Sequence, residues 1–166
     1  MRLTLHTDYA LRVLMYAAVK GDGLSTIPEI VERFEISRGH VMKVVHRLGR
    51  KGYLETIRGK RGGIRLAREA GRINVGAVVR DMEEELGVIG CLQGSPGYCR
   101  IEQLCILRHA LRDATEAFLA TLDRYTLAEL VRPRQALIRS VLIDGVRVPL
   151  PDASGPRRAA RARSRP

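Results

Sequence analysis

At 166 residues and 18.5 kDa the chain is one ordinary domain with at most a tail, which excludes two independent catalytic domains. Hydrophobic residues at 45% and charged residues at 28% give a globular composition, and 4% aromatics without Trp argue against a ligand-stacking specialist. A net charge of +11 and a pI near 10.4 point to a polyanionic partner and away from cationic ligands.

The opening MRLTLHTDYA lacks the uninterrupted apolar stretch of a signal peptide, and the longest apolar run, Val13 to Val19, falls short of the ~20 residues a membrane span needs. The expectation is a cytoplasmic protein with no membrane partner. Thr7 is a plausible cap for a first helix, with Asp8 in its first turn and an almost wholly apolar run from Tyr9 to Val19. Gly21-Asp22-Gly23 ends it. Ser25 or Thr26 then caps a second helix with Pro28 in its first turn, and Ser37 caps a third running to about Lys51. Two helices joined by so short a link suit a helix-turn-helix.

In the third helix Val41, Val44, Val45 and Leu48 recur at helical spacing and form a buried face, leaving Arg38, His40, Lys43, Arg47 and Arg50 to project outward. Two short strands follow, Tyr53 to Ile57 and Ile64 to Leu66, joined by the basic, glycine-rich Arg58-Gly59-Lys60-Arg61-Gly62-Gly63. The fold expected is therefore mainly α with a small β-hairpin, a winged helix-turn-helix over residues 1–72. Arg38, Gly39, His40 and Lys43 would lie nearest base edges of double-stranded DNA, Arg47 and Arg50 nearer phosphates, and Arg58, Lys60 and Arg61 beside or in the minor groove.

A fourth helix is predicted from the cap Asn74 to about Glu85, and a long one from near Cys105 carries Leu107, Ala110, Leu111, Ala114, Phe118 and Leu122 on one stripe. That stripe exceeds the body beside it, so a second subunit would cover it. A homodimer would in turn address a palindromic operator. Residues 73–131 thus form a cysteine-loop and dimerisation region, with a capped helical turn at Thr126 to Val131. Residues 132–166 form a basic tail, with Gln135 to Val148 able to dock as a short helix and Pro156 to Pro166 disordered.

Charge follows this division. Arg38 to Arg72 holds 11 basic residues against Glu55 and Glu69, net +9; residues 132–166 are net +7, and the remainder of the body is net −5. The positive charge of the body is concentrated on the helix-wing segment.

The three cysteines, Cys91, Cys99 and Cys105, are spaced C-x7-C-x5-C with Gly and Pro between the first two. An odd, clustered set suits metal ligation better than a closed disulfide framework, and soft thiolates favour zinc or iron–sulfur over Mg or Ca. The close pair usual in zinc ribbons is missing, which tilts the set toward an iron–sulfur cluster. A four-iron cluster needs one donor more, and Asp8, Glu85 and His109 are the candidates. A zinc-stabilised DNA-binding protein without sensing stays open. The basic helix-wing segment argues against an electron carrier, and no G-x-S-x-G, HExxH or phosphate loop supports an enzyme.

The order of MRLT, TDYALR, SRGHVMKVVHRL, RGKRGGIRL, NVGAVVRDME, three cysteines, CILRHAL and YTLAELV resembles the IscR/NsrR superfamily of winged-helix transcription regulators over residues 1 to about 131. Within it the TDYALR context is similar to the nitric-oxide-sensing branch. The resemblance implies a homodimeric repressor with an iron–sulfur cluster, 4Fe-4S in preference to 2Fe-2S, held by Cys91, Cys99 and Cys105 and completed by Asp8 of the partner subunit. Nitric oxide would nitrosylate the cluster and release nitric-oxide-detoxification genes. The alternative within the superfamily is an IscR-like regulator of iron–sulfur biogenesis or redox homeostasis, whose fourth ligand is a His after the third Cys; His109 keeps that option open.

Overall fold

The computed structural model describes residues 3–87, 92, 100, 101 and 104–146. Helix α1 spans Leu5–Lys20, and its cap is Thr4, not the expected Thr7. The physical reason is that Thr7 is fully buried inside the first turn, where its N–H donates to Thr4 Oγ1 at 3.3 Å. Thr4 is itself anchored from a distance, its own N–H donating to Glu83 Oε1 at 2.7 Å. Ala10, Val13 and Leu14 have no exposure, and most of the helices that follow pack against this one. A run from Tyr9 to Val19 that is apolar except for Arg12 has made it the central element.

Helix α2, Ile27–Phe34, resolves the choice of cap in favour of Thr26, which forms a reciprocal capping box with Glu29. Ser25 acts elsewhere, since its N–H and C=O exchange hydrogen bonds with Ile64 at 2.9 and 2.8 Å. Helix α3, Arg38–Arg50, is capped by Ser37, as expected, and buries Val41, Val44, Val45 and Leu48. Strands β1, Leu54–Ile57, and β2, Gly63–Leu66, pair antiparallel with Leu54 opposite Leu66 and Ile57 opposite Gly63. Gly63 is needed at the junction with Ser25, because a Cβ there would lie 2.7 Å from the Ser25 carbonyl oxygen.

After a 3₁₀ turn at Ala70–Arg72 comes α4, Val75–Met82, capped by Asn74. It stops short of the expected Glu85 because Glu83 turns extended (φ −86°, ψ 139°) and directs its carboxylate inward to Thr4. Helices α5, Ile106–Leu122, and α6, Leu127–Val131, follow, the latter with a capping box from Thr126 to Glu129. The starts of α4 and α6 are tied by backbone bonds from Val75 to Tyr125 and from Leu127 to Ile73.

A 3₁₀ turn at Arg132–Arg134 leads into α7, Gln135–Leu142. Leu142 and the following Ile143 pack on the core, and Arg33 on α2 donates to the Ile143 carbonyl at 2.9 Å. One core therefore joins Leu14 and Leu48 to Ile73, Val78, Met82 and Leu127, with α7 laid against it. It runs across residues 72 and 132, where the sequence suggested divisions. The expected disorder of Pro156 to Pro166 lies outside the described residues.

Candidate nucleic-acid interface and cysteine segment

The apolar arc of α3 fixes which side chains the helix offers to a partner. With Val41, Val44, Val45 and Leu48 inward, Arg38, Gly39, His40, Lys43 and Arg50 are exposed and Arg47 is half-buried. Arg38, Lys43 and Arg50 form no ion pair with another described residue, so their charge is available to phosphates. Arg47 differs: its Nη1 lies 3.6 Å from Glu84 Oε1, just after α4.

His40 is also engaged. Its Nδ1 shares a 2.9 Å hydrogen bond with Ser37 Oγ, and its ring lies 5.8 Å from the Tyr9 ring and 6.0 Å from that of His6. The side chain is thereby turned toward the start of α1 instead of standing clear of the surface. Sequence reasoning passes over two members of the outward arc, Met42, half exposed at 50%, and His46, exposed. Completing the arc opposite Val44 and Val45 by the helical repeat finds both; a search for cationic side chains alone does not.

In the hairpin, Arg58, Lys60 and Arg61 all stand exposed at the turn, without an ion pair to another described residue. Gly59 has φ +118°, a conformation that L side chains rarely adopt, and it gives the turn its shape. The base of the hairpin is fastened more firmly than its tip. Lys51 and Tyr53 both bond Asp81 on α4 at 2.7 Å, while Arg68 lies 4.6 Å above the Tyr53 ring and donates to the carbonyls of Gly52 and Lys51. Burial, and then the hydrogen bond to Asp81, push the Tyr53 hydroxyl up to about 12. Burial also raises the Asp81 carboxyl, but the bonds from Lys51 and Tyr53 outweigh it and hold the group below the usual carboxylate range.

The candidate metal donors are dispersed. Asp8 lies in the first turn of α1, partly exposed, and takes a two-pronged ion pair from Arg12 at 2.9 and 3.1 Å. Arg12 in turn sits 6.0 Å over the Phe34 ring of α2. Cys105 is a half-exposed free thiol at the N-cap of α5, and it makes no capping bond there. His109, one turn later, is exposed and accepts at Nδ1 from Arg112 at 3.1 Å. Cys91 and Cys99 lie outside the described residues. Among the described residues no three His, Cys, Asp or Glu side chains converge as a metal set, so Asp8, Cys105 and His109 do not meet within one chain. A half-exposed thiol left free by its helix fits thiolate ligation.

The stripe on α5 is open at its beginning and covered toward its end. Leu107 is 62% exposed and the preceding Ile106 is 83% exposed, whereas Phe118 and Leu122 are half-buried and Leu119 is buried on the α4 side. Asp123, at the end of α5, accepts a two-pronged 2.6 Å pair from Arg80 and locks the two helices together. That pair holds the Asp123 carboxyl below its ordinary value.

Comparison with known proteins gives the family and the fold. The model of the Rrf2 family, described as an iron-dependent transcriptional regulator, matches residues 3–133. The chain is 45% identical over 140 residues to the HTH-type transcriptional regulator NsrR of Bacillus subtilis strain 168, covering 84% of this chain and 96% of that one. It is 47% identical over 143 residues to the regulator of the same name from Geobacillus kaustophilus HTA426, covering 86% and 97%. Two solved structures share the fold: CymR (YrzC), the global cysteine regulator of B. subtilis, with TM-score 0.63 and 21% identity over 80% of this chain and 98% of that one, and T. potens IscR, with TM-score 0.64 and 22% identity over 80% and 88%.

Proposed function

The chain belongs to the Rrf2 family, whose members are transcriptional regulators and not enzymes, and from that premise we propose that it is a homodimeric repressor releasing a palindromic operator in response to nitric oxide. The observation that carries the DNA-binding part is the uncompensated cationic surface shared by α3 and the hairpin turn, on a body otherwise net negative. Arg38, Gly39 and Lys43 approach base edges, Arg47 and Arg50 the phosphates, and Arg58, Lys60 and Arg61 the adjacent minor groove. His40 serves chiefly as a link from α3 back to α1.

The effector follows from the resemblance of the TDYALR segment and the cysteine order to the nitric-oxide-sensing branch. Cys91, Cys99 and Cys105 hold an iron–sulfur cluster, 4Fe-4S in preference to 2Fe-2S, with Asp8 of the partner subunit as fourth ligand. When bound, that group supplies nitric-oxide-reactive iron. The chain supplies the transmission. Asp8 grips Arg12, which lies on Phe34 of α2, while the neighbouring Tyr9 touches His40 of α3. A change in the engagement of Asp8 therefore reaches both helices of the helix-turn-helix. The open start of α5, with Ile106 and Leu107, is covered by the second subunit.

The test begins with anaerobic purification and measurement of iron, sulfide and the visible spectrum. A coloured protein whose DNA binding falls on exposure to nitric oxide is expected; an iron-free protein that binds its operator regardless overturns the sensor. Asp8→Ala should alter the cluster spectrum and the nitric-oxide response, and His109→Ala should leave both unchanged. The reverse result would favour the IscR-like ligand set.

A further inference from the structure

The outward arc of α3 contains a neutral interruption that a purely basic DNA-binding face does not use. Gly39 lies in the first turn of the helix, where glycine is a poorer choice than alanine. Among the described residues nothing asks for it: a Cβ built there meets no atom of theirs within 4 Å, and its φ is not in the left-handed region. Three residues on, Met42 keeps 50% of its surface exposed and is absent from the core cluster that gathers the neighbouring Val41, Val44 and Val45. The i, i+3 spacing places the two side by side, so a small hollow adjoins a flexible apolar side chain, flanked by the cations Arg38 and Lys43. A single exposed apolar residue is ordinary. Its pairing with a glycine that no described residue requires, between the exposed cations Arg38 and Lys43, is the observation that points outward.

We infer that Gly39 and Met42 form a thymine-reading patch that sets operator preference: Gly39 lets the helix backbone come close to the base edges, and the Met42 thioether covers the C5-methyl of a thymine. The major-groove edge of DNA carries one apolar group, the thymine methyl, so a methionine held there by flanking phosphate contacts has a defined counterpart. Methionine suits this position because its unbranched, polarisable side chain adapts to a contact that the free protein does not preform. The inference rests on the proposed DNA binding and deepens it, by giving the otherwise charged helix a contact that discriminates between base pairs instead of strengthening all of them.

The full-length protein, purified anaerobically, is used to select its preferred duplex from a random DNA pool, and each thymine of that duplex is then replaced singly by deoxyuridine, which removes the methyl and keeps every hydrogen bond. At one thymine per half-site the wild type should lose affinity by about fourfold, the factor that burial of one methylene-sized group gives. Met42→Ala should bind the parent duplex more weakly by a similar factor and be indifferent to deoxyuridine at that position. Gly39→Ala should melt at a higher temperature than the wild type, since the Cβ is accommodated, and yet bind the selected duplex less well. Equal wild-type affinity for all the deoxyuridine duplexes, or a deoxyuridine penalty retained in Met42→Ala, overturns the thymine contact while leaving the proposed function standing. Failure to enrich any sequence overturns both.

Discussion

Tyr53 and Asp81 show how single side chains fix the hairpin to the helix that precedes the cysteine segment. A hydrogen bond from Tyr53 to Asp81 at 2.7 Å, beside the Lys51 pair to the same carboxylate, joins the end of α3 to α4. Because the folded value of Tyr53, about 12, lies above its ordinary 10.0, the folded state holds that proton longer. The stability it contributes is complete below about pH 10 and is lost as pH rises toward the folded value. Tyr53→Phe should flatten the decline of stability across that alkaline window, as read by denaturant unfolding at a series of pH values, and should cost about 1 kcal/mol at neutral pH. Arg47 poses a different question, since in the proposed complex Glu84, at 3.6 Å, would compete with DNA phosphate for its guanidinium. Glu84 is 86% exposed, so the contact is screened and weak. Glu84→Gln should raise DNA affinity at low salt by no more than about fivefold and have no effect at high salt, in fluorescence-anisotropy titrations.

Elements, more than residues, shape the proposed interface, and the hairpin is the clearest case. Its turn exposes Arg58, Lys60 and Arg61 while its base is clamped by Asp81, Arg68 and Ser25. Replacing both Arg58 and Arg61 by Ala should therefore leave the melting temperature unchanged and lower the salt dependence of DNA binding by about one log–log slope unit for each phosphate no longer neutralised. An unchanged slope would place the turn away from DNA. The helix-turn-helix and the hairpin were readable in the sequence because their signals are local: caps at Thr26 and Ser37, a three-valine stripe before Leu48, and glycines between two short apolar runs. Element ends set by distant partners were not. Thr4 takes the cap of α1, and α4 stops at Met82, because Thr4 and Glu83, far apart in the chain, satisfy one another. The role of Ser25 as a rung beside Ile64 is hidden for the same reason.

At the scale of the whole molecule, the net charge of +11 separates into a helix-wing segment at +9, residues 132–166 at +7 and a remainder at −5. The first part has geometry: Arg38, Lys43, Arg47 and Arg50 lie on α3 and Arg58, Lys60 and Arg61 at the hairpin turn, both elements resting on a common core. At the end of α7, Leu142 and Ile143 pack against that core, Arg139 donates to the Val19 carbonyl of α1, and the Ile143 carbonyl accepts from Arg33 of α2. For the arginines beyond them we propose a contribution by charge alone. Deleting residues 151–166 should weaken binding to unrelated DNA and to operator by the same factor, leaving their ratio intact in competition assays, because counterion release carries no sequence information. A changed ratio would give the tail a part in recognition.

The sequence by itself determined the secondary elements, the fold class, the cationic helix-wing segment and the spacing of the three thiols, all of which follow from periodicity, caps and charge within short windows. Tertiary structure decided what those elements do to one another. It turned His40 toward Tyr9 and His6, gave Arg47 a carboxylate partner in Glu84, and drew α7 onto α1. Each of these depends on contacts between residues distant in the chain, whose pairing is set by how one shared core is filled and not by any local pattern.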